Sequence, residues 1–185
     1  HEYLIEQLQK NSKTLEAGKD NEIGITFNHP CKDIIWVFQD SDRNTLDTSP
    51  APNDYTNVLF KNGNDWFNYN GSVNNTNIAG TINSTAIGNH TDPFSTANLK
   101  FNGVNRFSAR PPSYFKKYQP LTHYDNVPEK NVYCYSFAVK PCEHQPSGTC
   151  NFSRLDNASL NLNTVPSATN GTVTLFTRNY NVLRV

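Results

Sequence analysis

The stretch Tyr133–Leu160, YCYSFAVKPCEHQPSGTCNFSRLDNASL, decides how the chain is read. Tyr133, Tyr135, Phe137 and Val139 fall on one side; Cys134, Ser136, Ala138 and Lys140 fall on the other. A period of two over such a run is that of a half-buried strand. Pro141 has no N–H to give a ladder, so the strand is expected to end there. Gln145-Pro146-Ser147-Gly148 then has the chemistry of a turn. Pro146 presets φ at one corner, and Gly148 takes a positive φ at another. A second strand is expected next, with Asn151, Ser153 and Leu155 alternating against Phe152 and Arg154. On that strand Arg154 and Asp156 share a face and form a candidate ion pair, either within the sheet or between subunits. If exposed, such a pair contributes less than ~1 kcal/mol. The segment reads as two sheet strands joined by a corner.

The rest of the composition agrees with sheet. A chain of 185 residues buries a real core and is most simply one domain. It holds 27 asparagines, which favour turns over helix interiors. It also holds 11 Phe, 9 Tyr and 2 Trp, which suit pleated surfaces. Sixteen basic residues balance sixteen acidic ones. No segment is basic enough to make nucleic acid the direct partner. No apolar run approaches the ~20 residues of a membrane span. His1–Lys10 is charged and amphipathic, unlike a signal peptide. With no methionine, the sequence is expected to be a processed chain or a piece of a longer one.

Taken in order, residues 2–9 read equally as an alternating first strand or as a short helix with Leu4, Ile5 and Leu8 on one face, and residues 11–21 read as a polar loop. Residues 22–28 alternate again, with Ile23, Ile25 and Phe27 on one face. Residues 33–39, DIIWVFQ, form a dense β-branched and aromatic run that reads as a central strand. His29-Pro30 breaks the chain between them, so the two are expected to pair as a hairpin with a corner at 29–32. Residues 41–94 are rich in Asn, Asp, Ser, Thr and Gly and read as a long surface excursion. Val58–Phe60 and Trp66–Tyr69 are its apolar islands. Residues 99–107 form a strand or hairpin about Asn102-Gly103. Pro111 and Pro112 announce a short helix over about 112–118, with Tyr114, Phe115 and Tyr118 on one face and Pro120 as its stop. Residues 166–171 turn, residues 172–177 form another strand, and residues 181–185 end the chain in β-type residues. About eight short strands and one helix describe an all-β sandwich.

Chemical motifs are sparse. His29 lies two residues from Cys31, and His144 two from Cys142. Catalytic zinc wants three protein ligands and structural zinc four, so these read as turn histidines. Cys134, Cys142 and Cys150 are spaced eight apart and fit no zinc pattern. They read as reduced thiols, with a Cys142–Cys150 disulfide across the turn as the alternative. Ser147 sits in Pro-Ser-Gly, without the strand–turn–helix context of a nucleophile elbow. Seven Asn-x-Ser/Thr sequons occur, at Asn70, Asn74, Asn83, Asn89, Asn151, Asn157 and Asn170. The first four crowd into the 41–94 segment and are the candidate glycosylation sites.

The quoted stretch, as YSFAVKP…QPSGTCNFSRLDNASL, closely resembles the C-terminal half of the major capsid protein of nucleocytoplasmic large DNA viruses. The algal phycodnavirus and mimivirus-like branch is the nearest in character. HEYLIEQLQ (1–9), FNHPCKDIIWVF (27–38), LKFNGVNRFSAR (99–110), SYFKKYQP (113–120) and NYNVLRV (179–185) resemble the same family in the same order. Together these blocks cover a little over a third of the chain, and residues 41–94 match nothing named.

The resemblance implies an eight-stranded antiparallel jelly roll filling residues 1–185, the second half of a double jelly-roll chain. It implies a structural role in an icosahedral shell, with no catalytic residue, cofactor or metal. The implied partners are the N-terminal jelly roll of the same protein, two further copies in a homotrimer, neighbouring capsomers and minor capsid proteins. Host surface or glycans are further candidates, met by the 41–94 loop. The implied location is the outer capsid of a virion assembled in host cytoplasm, where thiols stay reduced. The alternative is a jelly-roll carbohydrate-binding or host-attachment module, with Trp66, Phe67 and Tyr69 stacking on sugars.

Overall fold

A computed structural model of the chain describes residues 1–40, 92–165 and 171–185. Its strands are β1 (Glu2–Leu15), β2 (Asp20–Gly24), β3 (Pro30–Asp40), β4 (Phe94–Phe101), β5 (Val104–Asn105), β6 (Tyr133–Ser136), β7 (Cys150–Asn151), β8 (Ala158–Thr164) and β9 (Gly171–Arg184). One sheet has the order β1-β9-β3-β6, with β7 also pairing β3; the other has the order β2-β8-β4-β5. Every pairing is antiparallel. Five strands in one antiparallel sheet and four in the other, with β6 and β7 sharing one side of β3, make a jelly roll.

The inner faces alternate as strands should. Ile34, Trp36 and Phe38 from β3 and Val173 and Leu175 from β9 meet Ile23, Ala97, Leu99, Leu160 and Leu162 from the other sheet, all buried. Aromatic rings bridge the layers. Trp36 stacks on Tyr133 at 5.9 Å between centroids and lies 5.1 Å from Phe115. At the other end of the sandwich Phe152 meets Phe27, Phe101 and Phe137 edge-on. The β4–β5 hairpin turns at Asn102-Gly103 with φ of 50° and 80°, the doubly positive turn that suits a tight hairpin.

Several local expectations are corrected. The first strand does not stop near residue 9. It runs to Leu15 because β9 pairs with it throughout, from Glu2↔Arg184 to Leu15↔Gly171. The polar loop expected across 11–21 is confined to residues 16–19. Residues 22–28 and 33–39 are not a hairpin. β2 pairs with β8, whereas β3 pairs with β6, β7 and β9 in the opposite sheet. His29, at φ 66°, marks the crossing between the sheets.

The quoted stretch also differs. β6 ends at Ser136, not at Pro141, because Phe137 and Ala138 both donate their N–H groups to Lys32 O, at 2.8 and 3.1 Å. Two donors on one carbonyl make a bulge, and the ladder stops there. β7 holds only two residues before a 3₁₀ turn, Phe152–Arg154. β6 and β7 lie along the same side of β3 and do not pair with each other. The helix is longer than expected: a π turn, Tyr114–Tyr118, runs into an α turn, Gln119–His123. Pro120 does not stop it. The Gln119 N–H bonds back to Tyr114 O, and Pro120, lacking an N–H, falls where the spacing tightens from five to four. The apolar islands of the 41–94 segment and the turn expected at 166–171 lie outside the described residues, save Gly171.

Candidate functional site

The surface that asks for a partner is the far end of the β1–β9 pair. Glu2–Ile5 and Asn181–Arg184 bond to each other beyond the end of the β3–β9 ladder, which stops at Cys31↔Asn179. Opposite residues in an antiparallel pair share a face. Leu4 and Val182 therefore lie on one face, with Leu8 further along it, and Tyr3 and Leu183 lie on the other. All are exposed: Leu8 by 69%, Tyr3 by 54%, Val182 by 51%, Leu183 by 49% and Leu4 by 40%. Single exposed apolar residues are ordinary, but a contiguous set on a two-stranded ribbon marks an interaction surface. Among the described residues β1 is also an edge strand, its ladder shared with β9 alone.

A polar knot holds the base of this ribbon. Lys32 is 1% exposed, yet its Nζ lies 2.5 Å from Glu6 Oε1 and 5.1 Å from the centre of the Tyr180 ring. Asp33 beside it is fully buried and takes Arg178 Nε at 3.1 Å, Arg178 Nη2, and Tyr124 OH at 2.9 Å. Burial, reinforced by the Asp33 carboxylate, pushes the Tyr124 hydroxyl well above its ordinary value, so it remains a donor. Gln9 completes the knot, donating to Asn28 O at 2.7 Å and Asn179 Oδ1 at 2.8 Å. The ribbon is thus aimed by buried charge and offers apolar side chains outward.

The residues singled out from the sequence are scattered. Asn70, Asn74, Asn83 and Asn89 lie outside the described residues, as does Asn170. Asn157 is exposed, and Asn151 uses its Oδ1 to accept from Ser153 N. Arg154 sits in the 3₁₀ turn and Asp156 in the bend after it, both exposed. The strand that would align them is absent, and no ion pair joins them among the described residues. Ser147 Oγ accepts from Lys140 N at 2.9 Å and is a turn-former. Among the described residues no group of three His, Cys, Asp or Glu could hold a metal ion.

Pro146 and Gly148 lie in the excursion between β6 and β7. Gly148 has φ 143°, and a Cβ there would stand 2.7 Å from Phe137 O. Gly148→Val is therefore expected to cost about 2–3 kcal/mol of stability from backbone strain and the forced contact. Urea denaturation checks this; a loss under about 0.5 kcal/mol would remove the argument.

Sequence reasoning missed the knot and the ribbon. The available signal was Lys32-Asp33 opening an otherwise apolar strand, since two charges there must be paired to be buried.

The family model for the large eukaryotic DNA virus major capsid protein matches residues 1–185. The chain belongs to this family. It is 35% identical over 221 aligned positions to the major capsid protein of Paramecium bursaria Chlorella virus 1, covering 100% of this chain and 46% of that relative. It is 33% identical over 246 positions to the major capsid protein of Phaeocystis pouchetii virus, covering 100% of this chain and 47% of that relative. The chain therefore spans about half the length of the curated capsid proteins it matches. Among solved structures, the capsid of Paramecium bursaria Chlorella virus 1 superposes with a TM-score of 0.69 at 32% identity, over 100% of this chain and 49% of that one. The Faustovirus major capsid protein superposes with a TM-score of 0.75 at 13% identity, over 34% of that chain, a likeness of fold.

Proposed function

We propose that the chain is the C-terminal jelly roll of a double jelly-roll capsid protomer, three of which form a pseudo-hexagonal block of an icosahedral shell. The observation that carries this reading is the family match along the whole jelly roll, at about half the length of the matched capsid proteins. On this reading the β1–β9 ribbon docks on the N-terminal jelly roll of the same protein. Obligate contacts of that kind are large and apolar, as Tyr3, Leu4, Leu8, Val182 and Leu183 require. The other lateral surfaces meet two further copies, neighbouring capsomers and minor capsid proteins. The 41–94 segment faces outward, carries any glycans at Asn70, Asn74, Asn83 and Asn89, and meets the host surface. Assembly takes place in host cytoplasm.

The test is Leu4→Lys with Val182→Asp in the full-length protein. The two positions are cross-strand partners, so the new charges attract and the ribbon itself is kept. Loss of trimers and particles, with the melting temperature nearly unchanged, is expected by light scattering and electron microscopy. Normal particles from this variant would remove the ribbon from the assembly surface.

A further inference from the structure

β7 meets β3 through two paired positions, Pro30↔Asn151 and Cys31↔Cys150. The second places one cysteine directly opposite another. Facing residues on antiparallel strands share a side, with Cα atoms roughly 4.5–5.5 Å apart. A disulfide spans Cα separations of roughly 4.4–6.8 Å. The shared side here is the interior: Cys31 lies in the hydrophobic core, and Cys150 packs against that core from its margin. Both are free thiols.

The other cysteines are placed differently. Cys134 sits opposite Ile35 on β3 and directs its thiol to Phe115 O. Cys142 is exposed in the excursion between β6 and β7. We propose that Cys31 and Cys150 form a redox modification site that a small disulfide such as oxidised glutathione converts to a cross-strand disulfide.

The order of events follows from access. Cys150 is half-buried and reachable, whereas Cys31 is sealed, its thiol directed at the carbonyls of Asn28 and His29, each at 3.5 Å. Cys150 attacks the reagent first: its S–S bond breaks, one thiol leaves with a proton, and a mixed disulfide remains on Cys150. Cys31 then attacks the Cys150 sulfur and expels the second thiol, which takes the second proton. Two cysteine thiols are oxidised by two electrons, and the reagent is reduced to two thiols. Burial pushes the Cys31 thiol up to about 11 and raises Cys150 as well. Exchange starts from the thiolate, so both steps are slow at neutral pH, and a reducing environment keeps the pair open.

The bond would change one particular thing. β7 is a two-residue strand, and the 3₁₀ turn after it carries Phe152 into the aromatic cluster. Two ladder positions are a weak anchor for so long an excursion; a covalent bond at the second would fasten it permanently to β3. The pair belongs to this chain's own residues and does not depend on the assembly proposed above.

The experiment uses the full chain in its native state. It is incubated with oxidised glutathione, denatured, alkylated and mapped without reduction. Two thiols are expected to be lost from alkylation to the link, in addition to any glutathione adduct on the exposed Cys142. A linked peptide pair should carry Cys31 and Cys150, and dithiothreitol should restore all four thiols. Cys142→Ala should leave the link unchanged, and Cys150→Ala should leave Cys31 fully alkylated. A Cys142–Cys150 link, a stable glutathione adduct on Cys150 with Cys31 free, or four intact thiols would each overturn the assignment.

Discussion

Replacing Trp36 by alanine is expected to destabilise the domain by about 4 kcal/mol, near the upper end for core aromatics. Trp36 is 1% exposed and stands where three elements meet. Its ring stacks on Tyr133 from β6 and approaches Phe115 from the helix, while Tyr133 lies 4.8 Å from Phe94 of the opposite sheet. Truncation leaves these rings facing a void that the two sheets cannot collapse to fill, because each is held by its own ladder. The indole N–H has no hydrogen-bond partner among the described residues. The loss is therefore one of packing, and Trp36→Phe should recover well over half of it. Chemical denaturation of the three proteins checks the order; equal losses for Ala and Phe would show that the indole itself matters.

The second large effect is expected at the base of the ribbon. Asp33→Ala and Arg178→Ala should each cost about 3 kcal/mol, because the first strands the half-buried Arg178 and Tyr124 and the second strands a fully buried carboxylate. Removing Asp33 leaves the Tyr124 hydroxyl without its acceptor. Removing Arg178 leaves a fully buried carboxylate without its cation. The double variant should then cost at least about 1 kcal/mol less than the sum, since the stranded charge is gone. Strict additivity in a double-mutant cycle would mean that the two groups do not act as a pair.

How much of this was legible in the sequence depended on distance. DIIWVFQ reads as a central strand because its residue types leave no other option, and Asn102-Gly103 reads as a tight turn for its own backbone reasons. Such signals are local. What could not be read was partnership. Nothing in residues 22–28 says that their mate is β8 rather than the adjacent run, because a strand's alternation is silent about which sheet it joins. The helix was read too short because Pro120 is a stop only when the residues before it keep regular α spacing, and a π turn alters that. Arg154 and Asp156 were aligned on a strand that gives way to a 3₁₀ turn directly after β7. The Cys31–Cys150 pair is invisible to spacing rules, which weigh cysteines close together in sequence. The family resemblance supplied the topology that local reading lacked, but it did not single out the polar knot.

The long register between β1 and β9 has a kinetic consequence. Glu2 bonds opposite Arg184, and β9 lies between β1 and β3, so the first sheet has no centre until residues 171–184 exist. At ~5–20 residues per second on the ribosome, β1 waits roughly 10–30 s for its partner. Throughout that interval Tyr3, Leu4, Ile5 and Leu8 are carried on an unpaired strand. Pairings between such distant positions are also the slowest to form once the chain is complete. Synthesis in quantity therefore exposes an unpaired β1 on every nascent chain at once, and the yield of folded protein should depend on what shields that strand before β9 arrives.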